Sequence, residues 1–389
     1  MKVAMFSDCY IPIINGVVTA IAQLKDGLEK RGHEVHVVTV RYHGHKGKEP
    51  NVLRLPTLPF SLGKQSYGLG LDLFGMATRR MRSVGVELIH SHTEFLLDES
   101  ARSAARKLGI PIIHTFHTMW HDYVHYIPGG FLNYERIKRM YKVRLAPCAA
   151  IIAPSIKAKK YVLDIVPDMP IEVIPNGIDT SKFRSSVVTP EFIRDARARY
   201  GLKDGEKLML FVGRIGPEKR VVALLDAMLP VLKKHANVKM AFVGDGGDLH
   251  TLKHRVDHEK LHGRVMFPGF VTWKEIFAIY SIASLYVTAS LSEVHPMTVI
   301  ESLICGLPLV ARRDDSYLDQ IIEGENGHLV PSEEEMTRVV MDLIVDDERL
   351  LAYSKKSAAF ASKFSAEGHT VAVESFYRRV IDAYPGRIS

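Results

Sequence analysis

Apolar runs and amphipathic stretches alternate along this 389-residue chain, and the alternation comes in two series. "KVAMFS" near the amino terminus is an apolar run of strand type. "NGVVTAIAQLKDGLEKR" has helical spacing, and Gly32 ends it before the next strand, "HEVHVVTV". The runs "VELIH", "IPIIHT", "AAIIAP" and "IEVIP" continue the series. A polar stretch follows, roughly Asp179 to Glu206. The rhythm then restarts with "KLMLFVG", "VKMAFVG", "RVMFPG", "SLYVTAS" and "LPLVAR", separated by helical segments. Strands alternating with helices predict parallel sheets covered on both faces. The expectation is therefore an α/β protein of two doubly wound domains facing a cleft, residues 1–175 and 176–365. The amphipathic segment 366–389 is expected to pack back on the first domain. Open parallel sheets bind ligands beyond the carboxyl ends of their strands, so candidate chemistry belongs in the loops after strands.

In the second series the most informative such loop is "SEVHPMTVIESLICGLP", Ser292 to Pro308. It carries Glu293 and Glu301 with seven residues between them. Pro296 suits the first helical position, and Gly306 and Pro308 end the helix. Glu293 then lies in the loop, and Glu301 lies about one turn into the helix beside Met297, Ile300 and Ile304. A carboxylate against an apolar stripe is costly unless something pairs with it. An earlier loop, "FVGRIGPEKRVVALLDAM", places Arg214 just past a strand and Lys219 in the first turn of the next helix. A cation there opposes the helix dipole, unless a phosphate sits between it and the free N–H groups. A solvated surface lysine is the competing reading of Lys219. "VGDGGDL" reads equally as a plain turn or as a backbone that approaches an anion closely. Together the loops suggest a nucleotide-sugar: diphosphate at the cations and helix N-termini, ribose at Glu301, and the far end at Glu293.

Composition narrows the classes. Hydrophobic residues make up 47% and charged residues 24%, as in soluble globular proteins. No apolar run approaches the ~20 residues of a membrane span. Cys9, Cys148 and Cys305 are scattered without disulfide or metal spacing, which predicts a cytoplasmic, reduced protein. The net charge of +7 predicts an anionic partner: a nucleotide, a nucleic acid or a membrane surface. No GxGxxG follows the first strand, which weighs against a nicotinamide oxidoreductase, and no nucleic-acid motif is present. "RDDS" lacks the spacing of a metal–diphosphate bridge. His117, His121 and His125 are four apart and could line a helix as metal ligands, but no acid or cysteine joins them.

"FVGRIGPEK" with "SEVHPMTVIESLICGLPLVA", and "PNGID" between the series, resembles the retaining GT-B glycosyltransferases of family four over nearly the whole chain. The resemblance implies two Rossmann-like domains, the first binding the acceptor and the second the nucleotide-sugar. It implies that Arg214 and Lys219 bind the diphosphate, Glu301 the ribose and Glu293 the donor sugar, with Met297 and Thr298 beside the donor. Gly16, in "PIINGVVTAI", fits a glycine-rich loop near the active site, although Asn15 stands where many relatives carry a second glycine. "HSHTEFLLDES" and "HTFHTMWHDYVHYIPG" resemble the bacterial diacylglycerol glucosyltransferases, which implies His117 at the sugar-transfer site. The catalytic set implied is His117, Glu293, Arg214 and Lys219.

Retention is expected without an enzymic nucleophile, and the cations are expected to replace a metal, so no cofactor is anticipated. The expected reaction moves a hexose, glucose first, from a UDP-sugar to diacylglycerol at the inner face of the cell membrane. "LFGMATRRMRSV" supports a membrane partner. Leu73, Phe74, Met76, Met81 and Val84 share one helical face, Arg79 and Arg82 lie opposite, and Arg80 interrupts the apolar side. The preceding "LPFSLGKQSYGLGLD" suits a mobile loop at a lipid entrance. An ordinary domain helix fits the same segment, and a soluble transferase acting on a small molecule or polysaccharide fits the same motifs.

Overall fold

The computed structural model describes residues 1–13, 15–42, 49–62, 65–126, 133–179 and 188–385. The chain divides into two compact units, Met1–Ile178 with Ala366–Ser389, and Asp179–Ser365.

The first unit is built on β1 (Lys2–Phe6), β2 (Glu34–Val40), β3 (Val52–Leu55), a hairpin of β4 (Thr57–Leu62) and β5 (Gln65–Gly70), then β6 (Leu88–Ser91), β7 (Ile112–Thr115), β8 (Ala150–Ala153) and β9 (Ile171–Val173). Seven of these form one sheet in the order β3-β2-β1-β6-β7-β8-β9, parallel throughout. Strand pleating sends alternate residues to opposite faces. Val3 and Met5 therefore join the core beneath the Gly16–Lys30 and Ala366–Ala383 helices. Ala4 and Phe6 join the core beneath Met76–Val84 and Leu96–Leu108. The C-terminal helix is part of this unit and buries Val373, Phe376, Tyr377 and Ile381 against it. It approaches Gly16–Lys30 so closely that a Cβ on Gly27 would lie 2.2 Å from Thr370 Oγ1.

The second unit carries β10 (Lys207–Val212), β11 (Val238–Val243), β12 (Val265–Gly269), β13 (Leu285–Thr288), β14 (Leu309–Arg312) and β15 (Gly327–Val330). Their order is β12-β11-β10-β13-β14-β15, again parallel. Each sheet winds outward in both directions from its first strand. The switch points lie between β1 and β6 and between β10 and β13, where such sheets bind ligands.

The polar stretch after Asp179 contains a helix, Pro190–Arg199, whose Thr189 hydroxyl accepts from the Phe192 N–H. Two expectations need correction. "LPFSLGKQSYGLGLD" is not a loop but includes most of an antiparallel hairpin, with Thr57 opposite Gly70 and Leu62 opposite Gln65. The apolar face of Met76–Val84 belongs to the protein core: Ala77 is fully buried and Met81 is 1% exposed. The core takes Ala77 and Met81 from that face, while Met76 and Val84 stay partly exposed, Leu73 beside them is 45% exposed, and Arg79, Arg80 and Arg82 are exposed.

In the second unit the loops after β10 and β11 touch backbone to backbone. The Ile215 N–H donates to the Asp245 carbonyl, and the Asp248 N–H donates to Ile215 O. A Cβ on Gly246 would fall 2.2 Å from the Ile215 carbonyl oxygen. Gly246→Ala is expected to lower stability by about 1–3 kcal/mol through the forced backbone shift. Gly247→Ala, with nothing within 4 Å of its Cβ, serves as the neutral control. Urea midpoints that coincide for the two variants would contradict this packing.

Candidate active site

The carboxyl ends of β10 and β13 bring together residues 74 positions apart. Gly216 opens a short 3-10 turn, Pro217–Lys219. Arg220 follows in the left-handed region at φ 52°, and only then does the Val221–Lys234 helix begin. Lys219 is thus the last residue of a tight turn and not part of a helix, a correction to the sequence expectation. The break frees its side chain to face the neighbouring loop. Lys219 Nζ donates to Glu293 Oε1 at 2.7 Å, and the two side chains are 13% and 18% exposed. The loops are also tied together by the Ser292 hydroxyl, which donates to the Glu218 carbonyl at 2.8 Å. Arg214 is more open, with its Nε 3.8 Å from the buried Glu218 carboxylate.

Pro296 caps the helix Met297–Ile304 rather than starting it. Glu301 lies one turn in, and its partner is the Tyr280 hydroxyl, which donates to Oε2 at 2.7 Å. Tyr280 comes from the Trp273–Ile282 helix and has no local sequence relation to Glu301. Glu301 keeps some solvent access, but surrounding protein raises its carboxyl to about 7, with Tyr280 pulling weakly the other way. Thr298 Oγ1 lies 3.0 Å from the Tyr286 hydroxyl, which fixes the start of this helix against β13. Met297 and Thr298 are both partly exposed in its first turn.

In the first unit, Asn15 caps the helix that Gly16 opens, accepting from the Val18 N–H at 2.9 Å. Asn15 thus has a local role as a helix cap, and Gly16 is exposed. At the β1/β6 switch point, Thr93 Oγ1 donates to Asp8 Oδ2 at 2.7 Å, and the Leu97 N–H reaches Asp8 Oδ1 at 3.3 Å. Burial raises Asp8 to about 6 despite these bonds.

His117 follows β7. Its Nε2 lies 3.1 Å from His92 Nδ1 at the end of β6, with the rings stacked. Burial, with help from His114 and His369, depresses His117 to about 3, so it is neutral at physiological pH. His121 stacks on Tyr161 and its Nε2 lies 3.2 Å from Asp122 Oδ1. The side chain of His125 lies outside the described residues. Among the described residues, no three His, Cys, Asp or Glu side chains are grouped to hold a metal ion. Sequence reasoning missed Tyr280, Glu218, His92 and Glu94. Only strand adjacency, which places the ends of β6 and β7 side by side, could have pointed to His92.

Two parallel, doubly wound units with cations and paired glutamates at one switch point define a GT-B type of sugar transferase. The profile of Glycosyltransferase Family 4 matches residues 14–182, and that of Glycosyl transferases group 1 matches residues 192–360. An alpha-monoglucosyldiacylglycerol synthase of Streptococcus pneumoniae is 31% identical over 97% of this chain and 85% of its own length. One from Acholeplasma laidlawii is 29% identical over 98% of both chains. A crystal structure of Anabaena HepE in complex with UDP shares the fold, with a TM-score of 0.79 at 18% identity over 97% of this chain and 100% of that one. The chain belongs to the family 4 glycosyltransferases of GT-B fold.

Proposed function

We propose that this enzyme transfers glucose from UDP-glucose to 1,2-diacylglycerol or a closely related membrane lipid, with retention of configuration. The observation that carries the reading is the Lys219–Glu293 ion pair at the β10/β13 switch point, with Glu301 in the adjoining helix. An ammonium and a helix N-terminus are suited to a diphosphate, and a half-buried carboxylate is suited to ribose hydroxyls. Arg214 and Lys219 take the diphosphate, Glu301 the ribose and Glu293 the hexose, with Met297 and Thr298 beside the donor. His117 and Gly16 are assigned to the donor on the family motif alone. Both curated relatives bear names with an alpha-linked monoglucosyl lipid, which supports glucose, diacylglycerol and retention together.

In the step we favour, the C1–oxygen bond to the diphosphate breaks as the acceptor hydroxyl attacks the same face. The hydroxyl proton passes to the departing phosphate oxygen. Arg214, Lys219 and the Met297–Ile304 N-terminus stabilise the charge that develops there, so metal independence is expected.

Three neighbouring helices support an anionic lipid surface as partner. Met76–Val84 carries a net charge of +3, Leu96–Leu108 of +1 and Tyr134–Leu145 of +4, together +8 against +7 for the whole chain. Arg79, Arg80, Arg82, Arg106, Arg139 and Lys142 are exposed on them. Each basic group near an anionic surface contributes about 1 kcal/mol. This reading places the protein at the inner membrane face through charge, not through a buried apolar helix.

The test is incubation with radiolabelled UDP-glucose, UDP-galactose and diacylglycerol in phosphatidylglycerol vesicles, followed by chromatography of the lipids. Labelled α-glucosyldiacylglycerol is expected. Transfer only to water-soluble acceptors would move the protein to the soluble reading.

The ion pair makes a further prediction. An incoming diphosphate takes Lys219 away from Glu293, so Glu293→Gln removes a competitor. UDP is expected to bind about threefold to tenfold more tightly, a gain of about 1 kcal/mol, while turnover falls. Calorimetry with UDP that gives weaker binding for this variant would place Glu293 on the nucleotide rather than on the sugar.

A further inference from the structure

The loops that leave β6 and β7 run side by side. His92 meets His117 at 3.1 Å, and three residues further along each loop Phe95 meets Trp120, edge to face with ring centroids 4.8 Å apart. Phe95 is 39% exposed, and Trp120 keeps partial access. The indole is not free to turn, because Trp120 Nε1 donates to Glu94 Oε2 at 3.0 Å. Glu94 is 3% exposed and also lies 3.4 Å from His114 Nε2. A buried carboxylate is a costly way to hold a half-exposed ring, and it fixes the direction in which that ring points.

The pair sits at the rim of the basic helices. Arg144 Nη1 donates to the Phe95 carbonyl at 3.1 Å, and the Trp120 N–H donates to the Tyr141 hydroxyl at 3.2 Å. Arg144 and Tyr141 both belong to Tyr134–Leu145. Two further apolar side chains stand out on the same rim, Leu96 at 40% and Val143 at 60% exposure; Arg102 Nη1, which donates to the Val143 carbonyl, links their helices. Exposed aromatic rings set among arginines favour the boundary between headgroups and acyl chains, where the rings meet the upper chains and the arginines the anionic headgroups.

We infer that Phe95 and Trp120 form a subsite for the glycerol and upper acyl chains of the lipid acceptor, with Glu94 aiming the indole. The surrounding charge selects an anionic bilayer as the source of that lipid, and the parallel course of the two loops leads from the bilayer edge to His117. This inference rests on the reading of the acceptor as a membrane lipid.

The chain contains 2 tryptophans, so Trp273→Phe leaves Trp120 as the only one. With phosphatidylglycerol–phosphatidylcholine vesicles carrying brominated acyl chains, the emission of this variant is expected to shift to the blue and to be quenched. Phe95→Ala and Trp120→Ala should each raise the apparent KM for diacylglycerol in mixed micelles about tenfold, with the KM for UDP-glucose unchanged. Glu94→Gln, whose amide oxygen still accepts from the indole, should stay within about threefold. If lipid is glucosylated and vesicles bind but Trp120 is unquenched, or if both alanine variants keep the wild-type KM, the subsite is wrong while the lipid reading stands. If vesicles do not bind and only a water-soluble acceptor is glycosylated, the lipid reading fails and the subsite fails with it.

Discussion

Replacing Lys219 by alanine is expected to lower kcat/KM for UDP-glucose about ten- to hundredfold, with the fold intact. Two effects add. The variant loses a charge-assisted contact to the leaving phosphate, worth about 1.5–3 kcal/mol. It also leaves the Glu293 carboxylate facing the diphosphate without the ammonium that neutralises it at 2.7 Å. The second effect is separable. In the double variant Lys219→Ala, Glu293→Gln, donor binding should recover part of the loss, because the repulsion is gone. Arg214→Ala should lose at least about tenfold as well. Near-wild-type efficiency in both single variants, with urea midpoints unchanged, would remove the diphosphate from this loop.

The sequence revealed the sheets far better than the sites, and the reason is physical. Strands of a parallel sheet are buried on both faces, so they read as apolar runs: "KLMLFV", "VKMAFV" and "AIIA" became β10, β11 and β8. Strands with mixed character were missed. β3 reads "VLRL" and β15 reads "GHLV", each of 4 residues, and only edge pairing to β2 and β14 defines them. The candidate loops do follow strands, as the apolar runs predicted, but their conformation was not legible. "GPEKR" gives no sign that Arg220 turns left-handed and separates Lys219 from the helix. The partner of Glu301 lies on another helix, 21 residues upstream, and no periodicity links them. The segment Met76–Val84 shows the limit of amphipathicity: a core and a bilayer select the same stripe. Burial of Ala77 and Met81 gave the middle of the stripe to the core and left Leu73 and the arginines exposed.

Glu301 should make donor binding depend on pH. Its carboxyl is raised from the ordinary 4.5 to about 7, chiefly because protein replaces water around it. The sign for stability follows. Between about pH 4.5 and 7 the unfolded chain ionises this group while the folded protein keeps it protonated. Its ionisation therefore costs stability as pH rises through that window, by about 3 kcal/mol when complete. Ribose hydroxyls that donate to the carboxylate act in the opposite sense: they favour the ionised form, lower its pKa in the complex and release a proton on binding near neutrality. UDP-glucose affinity is then expected to fall about fivefold to tenfold from pH 8 to pH 6, and to level off above pH 8. UDP-glucose is the right probe because its diphosphate does not titrate in this range, whereas the terminal phosphate of UDP does. Tyr280, the nearest titratable partner, is held protonated by burial and by Glu301 itself, so it adds no second transition. Glu301→Gln should bind UDP-glucose about ten- to hundredfold more weakly at pH 8, through loss of the charged acceptor. It should lose the slope below pH 8, and it should be more stable than the wild type above pH 7 because it has no charge to bury. The decisive measurement is calorimetric titration of both proteins at four pH values in buffers of different ionisation enthalpy. A slope that survives in Glu301→Gln, or an affinity equal to wild type, would take the ribose away from Glu301.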